Sequence, residues 1–460
     1  MKPELLMPAG DMEKLQTAFQ YGADAVYAGV PMFSLRAREN RFDIESVRRA
    51  VEYTKSLKKK IYLTVNIFPH NYKIPALLKA LKPMAALRPD AFIVADPGVI
   101  MLCRELVPEI PLHLSVQANN VNWASARFWQ AQGVKRIILS REISLQEIKG
   151  IHEMNPDLEL EFFVHGSICM AYSGRCLLSN YFTWRDANQG TCAHSCRWEY
   201  KVHKAVPHEK ISGEKASDRG YKNLSADYYL EEVNRPGEYL KVDEDPHGTY
   251  FMNSRDMCLI EYLKDLKDAG ICSFKVEGRN KTIYYVATVA KTYRNAIDDM
   301  EKGKPFNPKY IRDLAKTSNR GFIAGFLVNN PREKAQDYEK SLSYQTHEFI
   351  GVIRKIHKRR NKTLYEMEVK GRLDAPEKCE ILTPDNEFTC TLKKFITMDN
   401  HELLTIHPGQ KDNVLIELPH KVPIGTILRK ERPPELRHHK PLKISGKKSK
   451  IKKVTSPAHP

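Results

Sequence analysis

The feature that most restricts the fold of this chain is a strand–helix alternation repeated along its first 280 residues. Eight short apolar runs, at residues 5–7, 25–28, 60–65, 91–95, 112–116, 136–139, 158–164 and 273–276, are rich in Val, Ile, Phe and Tyr. Most are too short for helices, and their composition suits parallel strands buried on both faces. Amphipathic stretches at 44–57, 74–87, 123–132 and 145–154 lie between several of them. Gly22, Gly133 and Gly270 stand where a helix must end before the next strand, as a left-handed C-terminal cap requires. Eight successive β–α units predict an α/β fold, a TIM-like (β/α)8 barrel, over an open doubly wound sheet.

The seventh unit carries an insertion, residues 165–253, that follows strand seven and so lies over the barrel mouth. It opens with a cysteine-rich segment and continues through a polar stretch. It ends in a predicted hairpin, 238–242 with 249–253, around the turn Asp245-Pro246-His247-Gly248. The barrel thus spans 1–280, and a helical connector fills 281–345. From 346 to 430 short strands alternate with turns and predict a small all-β barrel. Residues 431–460 read as a basic, disordered tail.

Charge is concentrated at that end. The chain has 73 Lys and Arg against 56 Asp and Glu, a net +17, and from Arg429 onward eleven residues are basic and two acidic. Such a tail favours a polyanionic partner, because each neutralised phosphate releases counterions. The alternative is a solvated tail that serves solubility. No stretch approaches the roughly 20 apolar residues of a membrane span. Glu4 interrupts the only place for a signal-peptide core, so a cytoplasmic protein without membrane attachment is expected.

Polar groups follow the strands at Asn66, Asp96, Gln117, Arg141-Glu142, His165 and Glu277-Arg279. In a barrel these converge on the C-terminal face, where such enzymes keep their active sites. Each taken singly is as readily a turn or cap residue. Four of the nine cysteines cluster there: Cys169, Cys176, Cys192 and Cys196, spaced C-x6-C-x15-C-x3-C. Four thiolates suit an iron–sulfur cluster or tetrahedral zinc, and the spacing leaves both open. A first cysteine four residues past a barrel strand favours a redox centre, which must lie near the chemistry. Aromatic residues Tyr181, Phe182, Trp184, Trp198 and Tyr200 alternate with Arg175, Arg185 and Arg197. They can stack an unpaired base or form an apolar shell around a cluster. No G-x-S-x-G, H-E-x-x-H, P-loop or G-x-G-x-x-G motif is present.

Several segments are recognisable. Phe163-Val164-His165-Gly166-Ser167-Ile168-Cys169-Met170-Ala171-Tyr172-Ser173-Gly174-Arg175-Cys176 resembles the signature of the collagenase-like peptidase family of unknown catalytic type. So do Asn188-Gln189-Gly190-Thr191-Cys192, Cys196-Arg197-Trp198 and Lys275-Val276-Glu277-Gly278-Arg279. Despite its name, the family includes oxygen-independent hydroxylases of RNA bases and of a quinone-precursor ring. The resemblance implies a tRNA-modifying enzyme that converts the wobble uridine of the anticodon loop to 5-hydroxyuridine. It also implies a 4Fe–4S cluster on Cys169, Cys176, Cys192 and Cys196, loaded by iron–sulfur assembly machinery, and prephenate as hydroxyl source. Zinc, a peptidase activity, and rRNA or quinone-precursor substrates are the alternatives. Within this reading His165 and Glu277 are the candidates for proton transfer. Asn66, Gln117, Arg141 and Arg279 are the candidates for binding base, phosphate or a carboxylated co-substrate. The Lys-rich tail departs from the family pattern.

Overall fold

The computed structural model describes residues 2–30, 32–35, 42–169, 171–198, 200–204, 228–232, 239–242, 254–328, 343–359, 362–410, 412–434 and 437. Eight parallel strands are β1 (Glu4–Ala9), β2 (Ala25–Gly29), β3 (Lys60–Val65), β4 (Ala91–Val94), β5 (Leu112–Leu114), β6 (Val134–Ile138), β7 (Glu159–Ser167) and β8 (Ile271–Val276). Each pairs with its neighbour in sequence order. The ring closes because β8 pairs with both β1 (Leu5 opposite Phe274) and β7 (Phe162 opposite Phe274). This is the TIM-like barrel that the repeated units predict.

Helices α1 (Met12–Gln20), α2 (Ile44–Ser56), α3 (Ile74–Ala86), α4 (Pro97–Leu106), α5 (Trp123–Ala131) and α6 (Leu145–Met154) cover it. Local sequence starts them: Asp43 with Ser46, and Ser144 with Glu147, form reciprocal capping boxes on α2 and α6. Gly22, Gly133 and Gly270 all take positive φ at the helix ends. The insertion contributes α7 (Leu178–Thr183), then α8 (Leu263–Asp268) precedes β8 and α9 (Ile283–Glu301) follows it.

Within the insertion Tyr239–Val242 pairs antiparallel with Tyr228–Glu232, which pairs with Tyr200–Lys204. The second predicted hairpin arm, 249–253, lies outside the described residues. A short strand, Asp256–Cys258, then runs antiparallel to the end of β7, with Cys258 opposite His165.

The C-terminal domain is an eight-stranded antiparallel sheet around its own core of Ile350, Met367, Ile381, Phe395 and Leu428. It is the small all-β domain that the sequence predicts, and among the described residues no pairing joins its two edge strands. One of its central strands, Ile427–Glu431, reaches one residue past the predicted end of the domain and takes in Arg429 and Lys430, which the sequence groups with the basic end. Its Arg429 is 1% exposed and pairs with Glu380 and Glu387 at 2.9 and 2.6 Å. Residues 438–460 lie outside the described residues.

This domain docks on the outside of the barrel. Tyr21 Oη donates to the Leu382 and Gly425 carbonyls at 2.8 and 3.1 Å, and Lys291 of α9 donates to the Thr383 carbonyl at 2.5 Å. A polar cavity of about 220 Å³ lies in that seam, away from the barrel mouth. Among the described residues no helix is long and apolar enough to cross a membrane.

Candidate active site

Inside the barrel, residues two apart on a strand share the lumen face, and they stack polar layers from floor to mouth. On the floor Arg136 donates to Glu4 and Glu159 at 2.7 Å and to Glu161 at 3.2 Å. One layer up, Lys275 pairs with Glu161 at 2.7 Å, and its ammonium sits 4.3 Å from the Tyr27 ring centroid. Burial pushes the Lys275 pKa down, with Glu161 opposing that shift. None of these charges belongs to the strand-end set. The signal of Arg136, Glu161 and Lys275 in the sequence is a charge within an otherwise apolar strand, whereas Glu4 and Glu159 open theirs.

The next layer is the rim, and it gathers four of the sequence-selected residues. Asn66 accepts from the Leu35 amide at 3.1 Å and donates through Nδ2 to Gln117 Oε1 at 2.8 Å. Ser115 Oγ lies 2.8 Å from the same Gln117 oxygen. That fixes Oε1 as the acceptor and leaves Gln117 Nε2 buried with no partner among the described residues. Arg141 donates to the Ser167 carbonyl (2.8 Å) and Ser173 Oγ (3.0 Å) and lies 5.1 Å from the Phe163 ring centroid; its Nε has no partner among the described residues. Arg279 donates to Ser34 Oγ at 2.7 Å and the Leu35 carbonyl at 2.5 Å, tying the β2–α2 loop to the rim. Asp96 and Glu142 serve locally: Asp96 caps α4 at Val99 N, and Glu142 accepts from Ser140 Oγ.

His165 and Glu277 form a separate group. The β7–β8 register slips between Lys275 and Val276, and His165 beyond it faces α9. Its ring meets Tyr293 and Phe322 at 5.5 Å and Tyr285 at 6.0 Å, and Nδ1 lies 3.4 Å from Tyr293 Oη. Complete burial takes its pKa down to about 4, while the nearby carboxylates of Asp256 and Glu277 pull the other way. The imidazole is therefore neutral at pH 7. Glu277 is buried beside it, its amide donating to the His165 carbonyl at 2.9 Å. Gly166 makes this approach possible, because a Cβ there would lie 2.8 Å from Glu277 Cβ and its φ is +115°.

The cysteine segment caps the mouth. Gly174 packs on Gln117 and Phe68, Ser173 receives Arg141, Lys73 donates to Gln189 at 2.7 Å, and Gln189 donates to the Phe68 carbonyl. All four cysteines are free thiols: Cys169 is exposed, and Cys176, Cys192 and Cys196 are half-buried. Burial pushes the Cys176 thiol pKa up, and Cys169 and Cys192 add to the shift. Among the described residues no three His, Cys, Asp or Glu side chains close around a metal-sized point. The donor set fits a soft metal centre in its chemistry, with the four thiols drawn onto one short segment.

Fold and site together define a TIM-barrel protein with a thiol-rich cap over a polar mouth and a β-sheet domain on its flank. Residues 10–337 match the model of peptidase family U32, and 345–429 match the U32 C-terminal domain. Among its relatives, the tRNA hydroxylation protein P of Escherichia coli K12 is 43% identical over 93% of this chain and 96% of its own. A collagenase of Porphyromonas gingivalis is 29% identical over 71% of this chain and 73% of its own. A solved U32 peptidase aligns with 35% of this chain and 69% of its own at 17% identity, with a TM-score of 0.31. The chain belongs to peptidase family U32.

Proposed function

We propose that this protein hydroxylates C5 of the wobble uridine of tRNA without O₂. The reaction uses prephenate as co-substrate and a 4Fe–4S cluster held by Cys169, Cys176, Cys192 and Cys196. The observation that carries the tRNA part is the likeness, across 93% of the chain, to a protein named for tRNA hydroxylation. The cluster and the co-substrate rest on the motif resemblance and on the free thiols of the cap. When bound, such a cluster supplies electron transfer, or a Lewis-acidic iron where a ligand position is open.

The chain's own residues divide the remaining work. Among the described residues, Gln117 Nε2 and Arg141 Nε are buried donors without acceptors. Leaving them so is costly, and a uracil carbonyl or a carboxylate oxygen supplies what they lack. Asn66 and Arg279 spend their polar atoms on the β2–α2 loop and Gln117, so they shape the rim that receives the base. A neutral imidazole with a pKa near 4 is a weak base at pH 7. Glu277 is therefore the stronger candidate for moving a proton, with His165 positioning it. An anticodon-loop uridine is unpaired and can leave its stack to enter the mouth. The net charge of +17 attracts the polyanion without regard to sequence.

The collagenase likeness favours a second reading, peptide hydrolysis. Mass spectrometry of nucleosides from cells with and without the gene separates the two. Loss of 5-hydroxyuridine derivatives from tRNA, restored by the wild-type gene and not by Cys176→Ser, is the expected result. Cys103→Ser, altering a buried helix thiol outside the cap, should restore it. Unchanged tRNA nucleosides, with no second enzyme masking the loss, would refute the tRNA reading. A loss confined to rRNA would move the substrate there.

A further inference from the structure

We infer that Trp184 is a stacking platform for an unpaired base of the RNA substrate at the outer edge of the mouth, an inference that rests on the tRNA reading above. The structure splits the aromatic set of the cap into two kinds. Phe182 and Trp198 are half-buried and face one another at 6.0 Å, which is the behaviour of a packing shell. Trp184 is 93% exposed, its indole contributing almost nothing to the core.

Its exposure is built in. Trp184 ends α7 with φ 56° and ψ 21°, a left-handed conformation that bulky side chains rarely adopt and that glycine or asparagine usually supplies. The turn is clamped on both sides. The Trp184 amide donates to the Asn180 carbonyl at 2.8 Å, and Ser179 Oγ donates to the Arg185 carbonyl at 2.6 Å and accepts from Ala193 N at 2.7 Å. Arg185 in turn donates to the carbonyls of Thr191 and Cys192. A large aromatic face is thus presented to solvent on a preorganised turn, at little entropic cost to a ligand that stacks on it.

Location and charge select the occupant. The turn lies in the segment that caps the mouth, four residues before Asn188 and Gln189 anchor it to the β3–α3 loop. That loop offers a second exposed ring, Tyr72 (73% exposed), with the Lys73 ammonium 5.9 Å from its centroid. Arg175 is exposed on the same cap. Aromatic faces interleaved with cations fit unpaired nucleotides, whose bases stack and whose phosphates are drawn in by charge. A base flanking the target uridine, held on Trp184, would hold the loop open over the mouth.

The test is equilibrium binding of a tRNA transcript with a wobble uridine to the full-length protein, its Trp184→Ala and Trp184→Phe variants, and a Phe128→Ala control on the barrel flank. Trp184→Ala should weaken binding about tenfold. Phe should recover most of the loss, the control should bind as wild type does, and the salt slope should be unchanged because no charge is removed. Bound tRNA should also quench wild-type tryptophan emission more than that of Trp184→Phe. Binding by Trp184→Ala within twofold of wild type, or equal quenching in both proteins, would overturn the platform and leave the tRNA reading standing. Wild-type protein that does not bind tRNA would overturn both.

Discussion

Acidification should destabilise the barrel through one residue, His165. The unfolded chain protonates a histidine near 6.5, whereas in the fold complete burial holds His165 near 4. The folded pKa lies below the unfolded one, so between these values the unfolded state binds the proton and the folded state does not. Stability is therefore full above pH 6.5, falls as pH drops towards 4, and levels off below. At about 1.4 kcal/mol per pH unit the loss amounts to about 3 kcal/mol. For a chain of 460 residues the melting temperature moves roughly 1 °C per kcal/mol, so that is a drop of about 3 °C. Among the described residues the ionisable groups that face His165 are Asp256 on the neighbouring strand, Glu277 after β8, Lys281, Tyr285, Tyr293 and Cys258. The measurement is therefore differential: melting curves of wild type and His165→Gln between pH 7 and 4. Gln keeps a polar side chain without a titrating ring, and its lost ring contacts lower stability by a constant. The gap between the two proteins should shrink or reverse by about 3 kcal/mol across the window. A gap that stays flat would show that His165 is protonated within the fold or open to water, and the assignment of a sealed, neutral imidazole would fail.

Two further outcomes follow from the barrel interior. Lys275→Met leaves Glu161, fully buried, with Arg136 at 3.2 Å as its remaining counter-charge. Denaturant titration should show a loss of about 3 kcal/mol, of which the double variant with Glu161→Gln recovers more than half. Gly166→Ala sets a Cβ against Glu277 at a φ that L residues avoid, so a loss of about 3 kcal/mol is expected, read by thermal melting. Stability within 1 kcal/mol of wild type would contradict the close approach of β7 to Glu277.

The barrel strands are legible in the sequence because strands buried on both faces must be apolar throughout, and that pattern survives without knowledge of their neighbours. The strand Ile427–Glu431 is illegible for the opposite reason. Its Arg429 is internal only because Glu380 and Glu387, more than 40 residues away, neutralise it. The same holds inside the barrel, where Arg136, Glu161 and Lys275 look like misfits until they are paired. At the site, strand-end position places Asn66, Gln117, Arg141 and Arg279 on one rim. It cannot show that Arg279 is consumed by Ser34 and Leu35 while Arg141 keeps a free Nε. His165 shares the strand-end signal and faces elsewhere, because a slip in the β7–β8 register is a property of two strands together.

The allocation of donors bears on which chemistry the mouth can support. Nucleophilic peptide cleavage needs a thiol or hydroxyl with a base in reach. Yet the two histidines on barrel strands are both engaged in the interior: His113 packs edge-on against Tyr62 at 4.7 Å, and His165 is held at Tyr293. Among the described residues the rim offers instead the unpaired donors Gln117 Nε2 and Arg141 Nε, with the unpaired acceptors Asn119 Oδ1 and Asn120 Oδ1 on the same loop as Gln117, beneath a cap of free thiols. The ring of interactions from Arg141 to Ser173, and from Gln117 to Gly174, joins those donors to the turn between Cys169 and Cys176. A ligand that pairs with the donors would therefore act on the same turn that positions the thiols, coupling occupancy of the mouth to the arrangement of the cap.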